Sequence, residues 1–164
     1  MAPENRGILH SWPRWFAVSA LVVVLDQLTK YWVSHWLAAG ESAAITPFFN
    51  LTLTYNTGAA FSFLSRASGW QRGFFIAIAA SASLLLVYLI IRYQRLNLFS
   101  LGLSLVLGGA LGNLWDRIFL GHVVDFLDFY FQSYHWPAFN VADSAITCGA
   151  ALLIWDSFRR RPAK

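Results

Sequence analysis

Four long apolar segments run along the chain, and shorter polar stretches separate them. The segments cover about residues 15–36, 70–91, 98–116 and 139–158. Each approaches the roughly 20 residues that an α-helix needs to cross about 30 Å of hydrocarbon. The third and fourth segments contain more polar residues than the first two. The pattern therefore predicts an α-helical membrane protein with four transmembrane helices.

Two longer connections, residues 38–69 and 118–138, show a different pattern. Within the first, residues 49–55 (FNLTLTY) alternate apolar and polar side chains with the period of two that is typical of a β-strand, and a turn signal (NTG) follows. The second connection is aromatic and carries Asp125 and Asp128. We interpret it as a loop, with Asp128 on the solvated face of a short helix.

Composition places the whole chain, residues 1–164, in a single integral membrane domain. Only 12% of the residues are charged and 57% are hydrophobic, whereas a soluble domain has about 25% charged residues. Asp26 and Lys30 interrupt the first apolar segment, so we expect a retained span rather than a cleaved signal peptide. Their spacing of four residues indicates a mainly structural pair. The single Cys148 excludes an internal disulfide and a multi-cysteine metal site.

Positive charge is unevenly distributed between the two ends of the predicted spans. Eight of the twelve Lys and Arg residues fall at the end shared by both termini and the 92–97 connection. By the positive-inside rule, both termini are cytoplasmic, and the small β-strand and loop region is extracytoplasmic. Because the basic residues form no stripe or arm, no nucleic-acid partner is expected. The eight are Arg6, Arg14, Arg92, Arg95, Arg159, Arg160, Arg161 and Lys164.

Asp125 and Asp143 stand in otherwise apolar runs at the outer edges of the third and fourth predicted spans. An ionisable group at the centre of a bilayer costs about 2.5–3.5 kcal/mol on insertion scales, so it is rare there and usually functional. The intervening connection allows the two carboxyl groups to meet near the outer interface. Two carboxyl groups that share a proton can act as an acid and a base, which metal-free hydrolysis of a peptide bond requires.

Each aspartate also has a structural explanation. Asn140 is a good N-cap, and Asp143 three residues later suits the helix dipole, while Asp125 could be a solvated loop acid. If the two form a pair, an apolar setting favours protonated Asp125 and the helix N-terminus favours ionised Asp143, with the pair titrating as a unit. His122 and His135 could join the aspartates around zinc. The histidines lack metal-ligand spacing, however, so we expect no metal and no cofactor.

The third span carries small and polar residues four positions apart. Gly108 and Gly112 lie on a face suited to close helix packing. Asn113 and Arg117 share another face, where they could bind substrate carbonyls or orient a catalytic carboxylate. Arg117 could instead anchor the helix at the interface or pair with Asp116.

Five blocks, in this order, resemble the lipoprotein signal peptidases, also called signal peptidase II. One such block would be weak, but five in order with four predicted spans are highly specific. The similarity extends over nearly the whole chain, with no departure at a catalytic position. The blocks are DQLTK (26–30), YNTGAAFS (55–62), GGALGNLWDR (108–117), GHVVDF (121–126) and FNVADSA (139–145).

The resemblance implies a membrane aspartyl endopeptidase of the bacterial cell inner membrane, with its active site near the periplasmic face. It removes signal peptides from diacylglyceryl-modified prolipoproteins by cutting before the lipidated cysteine, and Asp125 and Asp143 form its catalytic dyad. Further partners are membrane lipid and cyclic peptide inhibitors such as globomycin, and the chain is expected to be a monomer. The candidate substrate-binding and supporting residues are Asp26, Asn56, Gly108, Asn113, Arg117 and Asn140.

Two other functions share some of these features. A small proton-coupled membrane transporter also uses intramembrane acids and small-residue helices. It predicts acids near the middle of the bilayer, whereas both aspartates here lie at one edge. A structural subunit, in which the acids only cap helices, is the third possibility.

Overall fold

The computed structural model describes residues 12–58, 69–93 and 98–159. These residues form four helices that are long and apolar enough to cross a membrane, together with a small antiparallel sheet. The predicted fold class is therefore confirmed. The helices are α1 (Trp12–Trp36), α2 (Trp70–Arg92), α3 (Leu98–Phe119) and α4 (Val141–Arg159); the strands are β1 (Ser42–Thr46), β2 (Phe49–Asn56), β3 (Val123–Phe131) and β4 (Tyr134–His135).

Part of the sequence interpretation falls outside the described residues. The second motif block continues into this undescribed part at residues 59–62, and the first long connection does so at residues 59–68. Several charges used for the orientation lie there as well. They are Arg6, Arg66, Arg95, Arg160, Arg161 and Lys164.

Five of the eight helix ends differ from the predicted ends by one to three residues, and the other three are as predicted. The first helix begins at Trp12 rather than at residue 15, and the second ends at Arg92 rather than at 91. The third extends to Phe119, three residues beyond the predicted end at 116. The fourth covers Val141–Arg159 rather than 139–158, so that Asn140 precedes the helix instead of lying within it.

α3 lies at the centre of the helices and contacts α1, α2 and α4. Leu86 and Ile90 of α2 pack against Leu103 and Leu107 of α3 in a buried cluster. The other sides of α2 are largely exposed apolar surface, as expected for a helix that faces lipid. α3 therefore sets the positions of the other helices.

Small residues allow α3 to approach its neighbours closely. A Cβ atom on Gly108 would lie 2.7 Å from the carbonyl oxygen of Ser19 in α1. Nearby, the Ser19 hydroxyl donates to the carbonyl oxygen of Ser104 at 2.8 Å. On the opposite side of α3, a Cβ atom on Gly102 would lie 2.9 Å from the carbonyl oxygen of Gly149 in α4. The predicted small-residue face thus packs against α1, and a second one packs against α4.

The sheet has the order β1-β2-β3-β4, and all its pairs are antiparallel. The strand predicted at 49–55 is present as β2. Its register against β3 shifts between Leu51 and Thr54, which leaves one extra residue in β2. Since neighbouring side chains in a strand point to opposite faces, this bulge places Asn56 rather than Tyr55 on the same face as Asp125.

A second apolar cluster attaches the sheet to the helices. Val33 and Leu37 at the end of α1 pack against Leu53 of β2 and against Val124 and Phe126 of β3. All five side chains are buried. This contact places the start of β3 directly above the ends of the helices.

The loop predicted at residues 118–138 is wrong for most of its length, because β3 and β4 occupy it. The first four residues of β3 are all buried, so the strand lacks the alternation by which strands are recognised in sequence. Asp128 is buried in β3 rather than exposed on a short helix. Its carboxylate accepts a hydrogen bond from Asn50 at 2.9 Å and lies 2.9 Å from Nδ1 of His135.

We predict that Gly108→Ala destabilises the protein. The added methyl group has no room against Ser19 and Val22, and overpacking of this kind costs about 1–3 kcal/mol. Gly73→Ala in α2 is the matched control, because a Cβ atom there meets nothing within 4 Å. Thermal unfolding in detergent should show a lower midpoint for Gly108→Ala and an unchanged or higher one for Gly73→Ala. Equal midpoints for the two variants would contradict the packing described.

Candidate active site

Asp125 lies in β3, and its side chain is almost completely buried, with 3% exposed. Its two carboxylate oxygens accept hydrogen bonds from different amides. Asn140 donates to Oδ1 at 2.7 Å, and Asn56 donates to Oδ2 at 3.1 Å. The β-bulge makes the second bond possible, because it turns Asn56 towards Asp125. Asp125 is therefore a buried carboxyl group fixed by two hydrogen bonds, and it is not a solvated loop acid.

Asp143 lies in the first turn of α4 and forms a reciprocal cap with Asn140. The backbone N–H of Asp143 donates to Oδ1 of Asn140 at 2.9 Å, and the backbone N–H of Asn140 donates to Oδ2 of Asp143 at 3.3 Å. This arrangement has the geometry of a capping box. The other carboxylate oxygen, Oδ1, accepts a bond from Asn113 at 2.7 Å. The predicted N-cap at Asn140 is thus present. Asp143 also lines the cavity described below.

Asn140 and Asn113 join the two aspartates in one network. Asn140 has no exposed surface and is hydrogen-bonded to both Asp125 and Asp143. Its NH2 group also lies 3.2 Å from the side-chain oxygen of Asn113. A single asparagine residue therefore bonds both acids, which the sequence separates by eighteen positions.

A cavity of about 570 Å³ opens beside this network, within the range of ligand-binding pockets. Asp125, Asp143, Asn56, Asn113 and Arg117 form its polar end. Apolar and small side chains form its walls, partly from α4 and partly from the segment that leads into α4. These wall residues are Val123, Trp136, Pro137, Ala138, Phe139, Ser144, Ile146, Thr147 and Cys148.

The surroundings of Asp125 change its acidity. Burial raises the pKa of Asp125 to about 7, and the negative charge of Asp143 acts in the same direction. The amides of Asn56 and Asn140 stabilise the ionised form and oppose this rise. Near neutral pH, Asp125 can therefore hold a proton and release it, as a general acid must.

Arg117 brings positive charge to the polar end of the cavity. Its guanidinium donates to the carbonyl oxygen of Gly58 at 3.2 Å and to that of Asn113 at 3.3 Å. The guanidinium carbon also lies 5.4 Å from the centre of the Phe75 ring. The alternative pairing of Arg117 with Asp116 is wrong, because Asp116 forms its salt bridge with Lys30.

Asp26 and Gly108 lie outside the cavity lining. Asp26 is buried beneath the network, where Oδ2 pairs with Lys30 at 2.8 Å and Oδ1 accepts the backbone N–H of Ala142 at 2.9 Å. Gly108 lies in the contact between α3 and α1. Of the supporting residues predicted from the sequence, the structure thus brings Asn56, Asn113, Arg117 and Asn140 to the two aspartates, and it places the other two in the scaffold.

Sequence reasoning missed the roles of Gln27, Lys30 and Asp116. The spacing of four residues predicts Lys30 only as a local partner of Asp26, but its ammonium also contacts Asp116 and Asn113 of α3. Gln27 donates to Asp116 at 2.9 Å. A lysine within an apolar span was the available signal, since a buried charge requires partners on neighbouring elements.

The two histidines of the zinc alternative lie apart from both acids of the cavity. His135 contacts Asp128, and the ring of His122 lies 4.3 Å from that of Tyr55. Within the described ranges, no three His, Cys, Asp or Glu side chains are grouped so that they could hold a metal ion. The polar end of the cavity thus presents two carboxyl groups that accept hydrogen bonds from the side-chain amides of Asn56, Asn113 and Asn140.

Comparison with known proteins gives consistent results for sequence and structure. The family model described as signal peptidase (SPase) II matches residues 18–159. A lipoprotein signal peptidase from Burkholderia mallei is 57% identical over 146 residues, which is 89% of this chain and 88% of that protein. Another, from Paraburkholderia phymatum, is 54% identical over the same shares of the two chains.

Two solved structures, both of bacterial membrane enzymes determined by the in meso method, have a similar fold. The one at 2.3 Å resolution has a TM-score of 0.80 and 34% sequence identity, and the alignment covers 93% of this chain and 95% of that chain. The one at 1.9 Å resolution has a TM-score of 0.79 and 35% identity, with 91% and 95% covered. The similarity includes both the helices and the sheet that carry the two aspartates.

We predict that Asn56→Ala raises the pKa of Asp125 above 7. The Asn56 amide stabilises the ionised form of Asp125, so its removal makes the carboxylate harder to ionise. If the hydrogen bond contributes about 1.4 kcal/mol, the pKa of Asp125 rises by about one unit. Infrared titration of protein with 13C-labelled aspartate measures this midpoint. Asn50→Ala is the matched control, because Asn50 makes the same strand-to-strand bond to Asp128. An Asp125 midpoint that does not differ between the two variants would contradict the assignment.

Proposed function

This chain belongs to the signal peptidase II family, and we propose that Asp125 and Asp143 are the catalytic dyad with which it cleaves its substrate. Members of the family are aspartic endopeptidases that remove signal peptides from prolipoproteins. The proposal depends on one observation above all: Asn140 donates to both carboxyl groups beside the cavity, from its side-chain NH2 group to Asp125 and from its backbone N–H to Asp143. The positions also favour a protease over a transporter, because Asp143 lies in the first turn of α4 and Asp125 lies in a strand, so that neither acid is in the middle of a helix.

In the first step, the Asp143 carboxylate takes a proton from a water molecule, and the water oxygen bonds to the scissile carbonyl carbon. Asp125, which holds a proton up to about pH 7, gives that proton to the carbonyl oxygen. The product is a neutral tetrahedral diol. Burial of both groups next to hydrogen-bond donors that are already in place lowers the cost of this charge movement.

In the second step, Asp143 gives the proton that it took from water to the leaving nitrogen. The carbon–nitrogen bond breaks, and a hydroxyl proton of the diol returns to Asp125. The dyad is then in its starting state, with one proton on the pair. Each aspartate gives one proton and takes one proton in the complete cycle, as general acid–base catalysis requires of a catalyst that is regenerated.

The supporting residues divide into two groups by position. Asn113 and Asn56 hold the catalytic carboxylates in place. Arg117 faces the cavity with a positive charge close to both acids, where it can bind a substrate carbonyl group. Asp26 acts from beneath by holding the first turn of α4 through Ala142.

The cavity also fits the substrate class expected from the sequence. Its polar end suits the peptide bond, and its wall along α4, including Ile146 and Cys148, suits an apolar group attached to the substrate. We therefore propose that the substrates carry diacylglycerol on a cysteine and that cleavage occurs just before that cysteine. Globomycin-like cyclic peptides would inhibit the enzyme by occupying the same cavity, and a monomer is sufficient because both acids come from one chain.

We predict that Asp125→Asn and Asp143→Asn each reduce processing by at least about a thousandfold, because each removes a group that must transfer a proton. The assay follows a lipidated prolipoprotein in reconstituted membranes. Asp128→Asn is the matched control, since Asp128 is a buried carboxylate three residues along the same strand that is bonded to Asn50 and His135 instead. Full processing by either dyad variant, at a normal protein level, would remove the pair from the mechanism.

We also propose a bacterial inner-membrane location with both termini in the cytoplasm, on the basis of the charge distribution. A fluorescent protein that matures only in the cytoplasm should fluoresce when it is fused after Lys164. Alkaline phosphatase, which is active only outside the cytoplasm, should be inactive at the same position. The reverse result would place the dyad on the cytoplasmic side.

A further inference from the structure

Lys30 is a buried cation whose hydrogen bonds are all used. The residue is 3% exposed, and its ammonium group has three donors and no acceptor. Nζ lies 2.8 Å from Oδ2 of Asp26, 2.8 Å from Oδ2 of Asp116 and 3.0 Å from Oδ1 of Asn113. Lys30 does not line the cavity. Its effect on the reaction must therefore pass through these three partners.

The contact with Asn113 determines which way that amide points. Because an ammonium can only donate, the amide atom that faces Lys30 must be the oxygen. The NH2 group of Asn113 then faces Asp143 and donates to it at 2.7 Å. The neighbouring amide is oriented in a similar way, since the backbone N–H of Asp143 holds the oxygen of Asn140 and leaves its NH2 group for Asp125.

We propose that Lys30 is a positioning residue for the reaction: by holding the oxygen of Asn113, it keeps the NH2 group directed at Asp143 and so maintains that carboxylate as the base of the pair. This inference rests on the proposed function of the dyad. Without the ammonium, only the NH2 group of Asn140, at 3.2 Å, still donates to the oxygen of Asn113. Asn113 can then rotate by half a turn and present that oxygen to Asp143. Two acceptors would then face each other unless Asp143 carried the shared proton, and Asp143 could no longer take a proton from water.

Other charged groups near Asp143 do not replace this effect. Asp125 faces it from β3 and Asp26 from α1, and both are acids. Arg117 approaches from α3, but its described hydrogen bonds go to backbone carbonyl oxygens and do not involve the side-chain amide of Asn113. Among the described residues, Lys30 is thus the cation that determines the orientation of Asn113.

The cluster offers a variant that removes Lys30 without leaving a new net charge. Lys30, Asp26 and Asp116 together carry one negative charge, and the double variant Asp26→Asn/Lys30→Met keeps that value. Asp116 retains its bonds from Gln27 at 2.9 Å and from the backbone N–H of Val124 at 3.1 Å. The oxygen of the new amide at position 26 can still accept the N–H of Ala142.

The test compares this double variant with Asp26→Asn alone, so that any effect of losing the Asp26 carboxylate is common to both. We expect kcat to fall about tenfold or more in the double variant, with KM within about twofold, because an oriented group and not a substrate contact is lost. Circular dichroism and thermal unfolding verify that both variants are folded. An unchanged kcat in a folded double variant would overturn the proposal.

A double-mutant comparison of Lys30 and Asn113 distinguishes an effect of Lys30 through Asn113 from a general effect of Lys30 on the structure. Asn113→Ala should lower kcat about tenfold in the Asp26→Asn background but less than about threefold once Lys30 is also replaced, because the two residues act as one unit. If Asn113→Ala lowers kcat by the same factor in both backgrounds, the two residues act independently and the proposal is overturned.

If the double variant does not fold, Asp116→Asn/Lys30→Met is compared with Asp116→Asn, since Asp26 then retains its bonds from Ala142 and Gln27. Failure of both double variants to fold, while both single variants fold, would assign Lys30 a structural role only and overturn the proposal. Failure of the proposed function is a separate result, in which Asp125→Asn and Asp143→Asn themselves retain activity.

Discussion

A buried ammonium group is the constraint on which the rest of the structure depends. Lys30 is held between Asp26 of α1 and Asp116 of α3. Each of these carboxylates also accepts a hydrogen bond from a further helix or strand. Asp26 accepts a backbone N–H from Ala142 of α4, and Asp116 accepts one from Val124 of β3. Removing one partner of a buried ion pair typically costs about 3–5 kcal/mol. The cluster therefore holds α1, the end of α3, the start of α4 and the strand β3 in a fixed arrangement.

The two acids of the site come from different kinds of structure, and this difference supports the different roles proposed for them. Asp125 belongs to a strand that lies over the helix ends, and its burial favours the protonated form near neutral pH. Asp143 belongs to the first turn of a helix, where amide donors meet both of its oxygens. Asn140 contributes to both settings, since it caps α4 and bonds the acid on the strand. A residue that looks purely structural is thus also part of the proposed active site.

The position of the cavity relates this chemistry to a membrane substrate. Its polar end lies where β3 meets the helices, while its wall continues along α4 past Ile146 and Cys148. A peptide linked to lipid could place its scissile bond at the acids and its apolar group along that wall. The sheet supplies Asp125 and Asn56 to this polar end, and α4 supplies Asp143.

The sequence alone determined the four spans, the strand β2 and the identity of the two aspartates. Long apolar runs, a period of two, and acids within apolar segments each have a direct physical meaning along the chain. It could not determine the pairing of Lys30 with Asp116, or the bulge that turns Asn56 towards Asp125. Helices that are apolar on most sides do not specify their own rotation, and one extra residue in a strand reverses which side chains face the partner. These features depend on how distant segments pack together, so only the tertiary structure decided them.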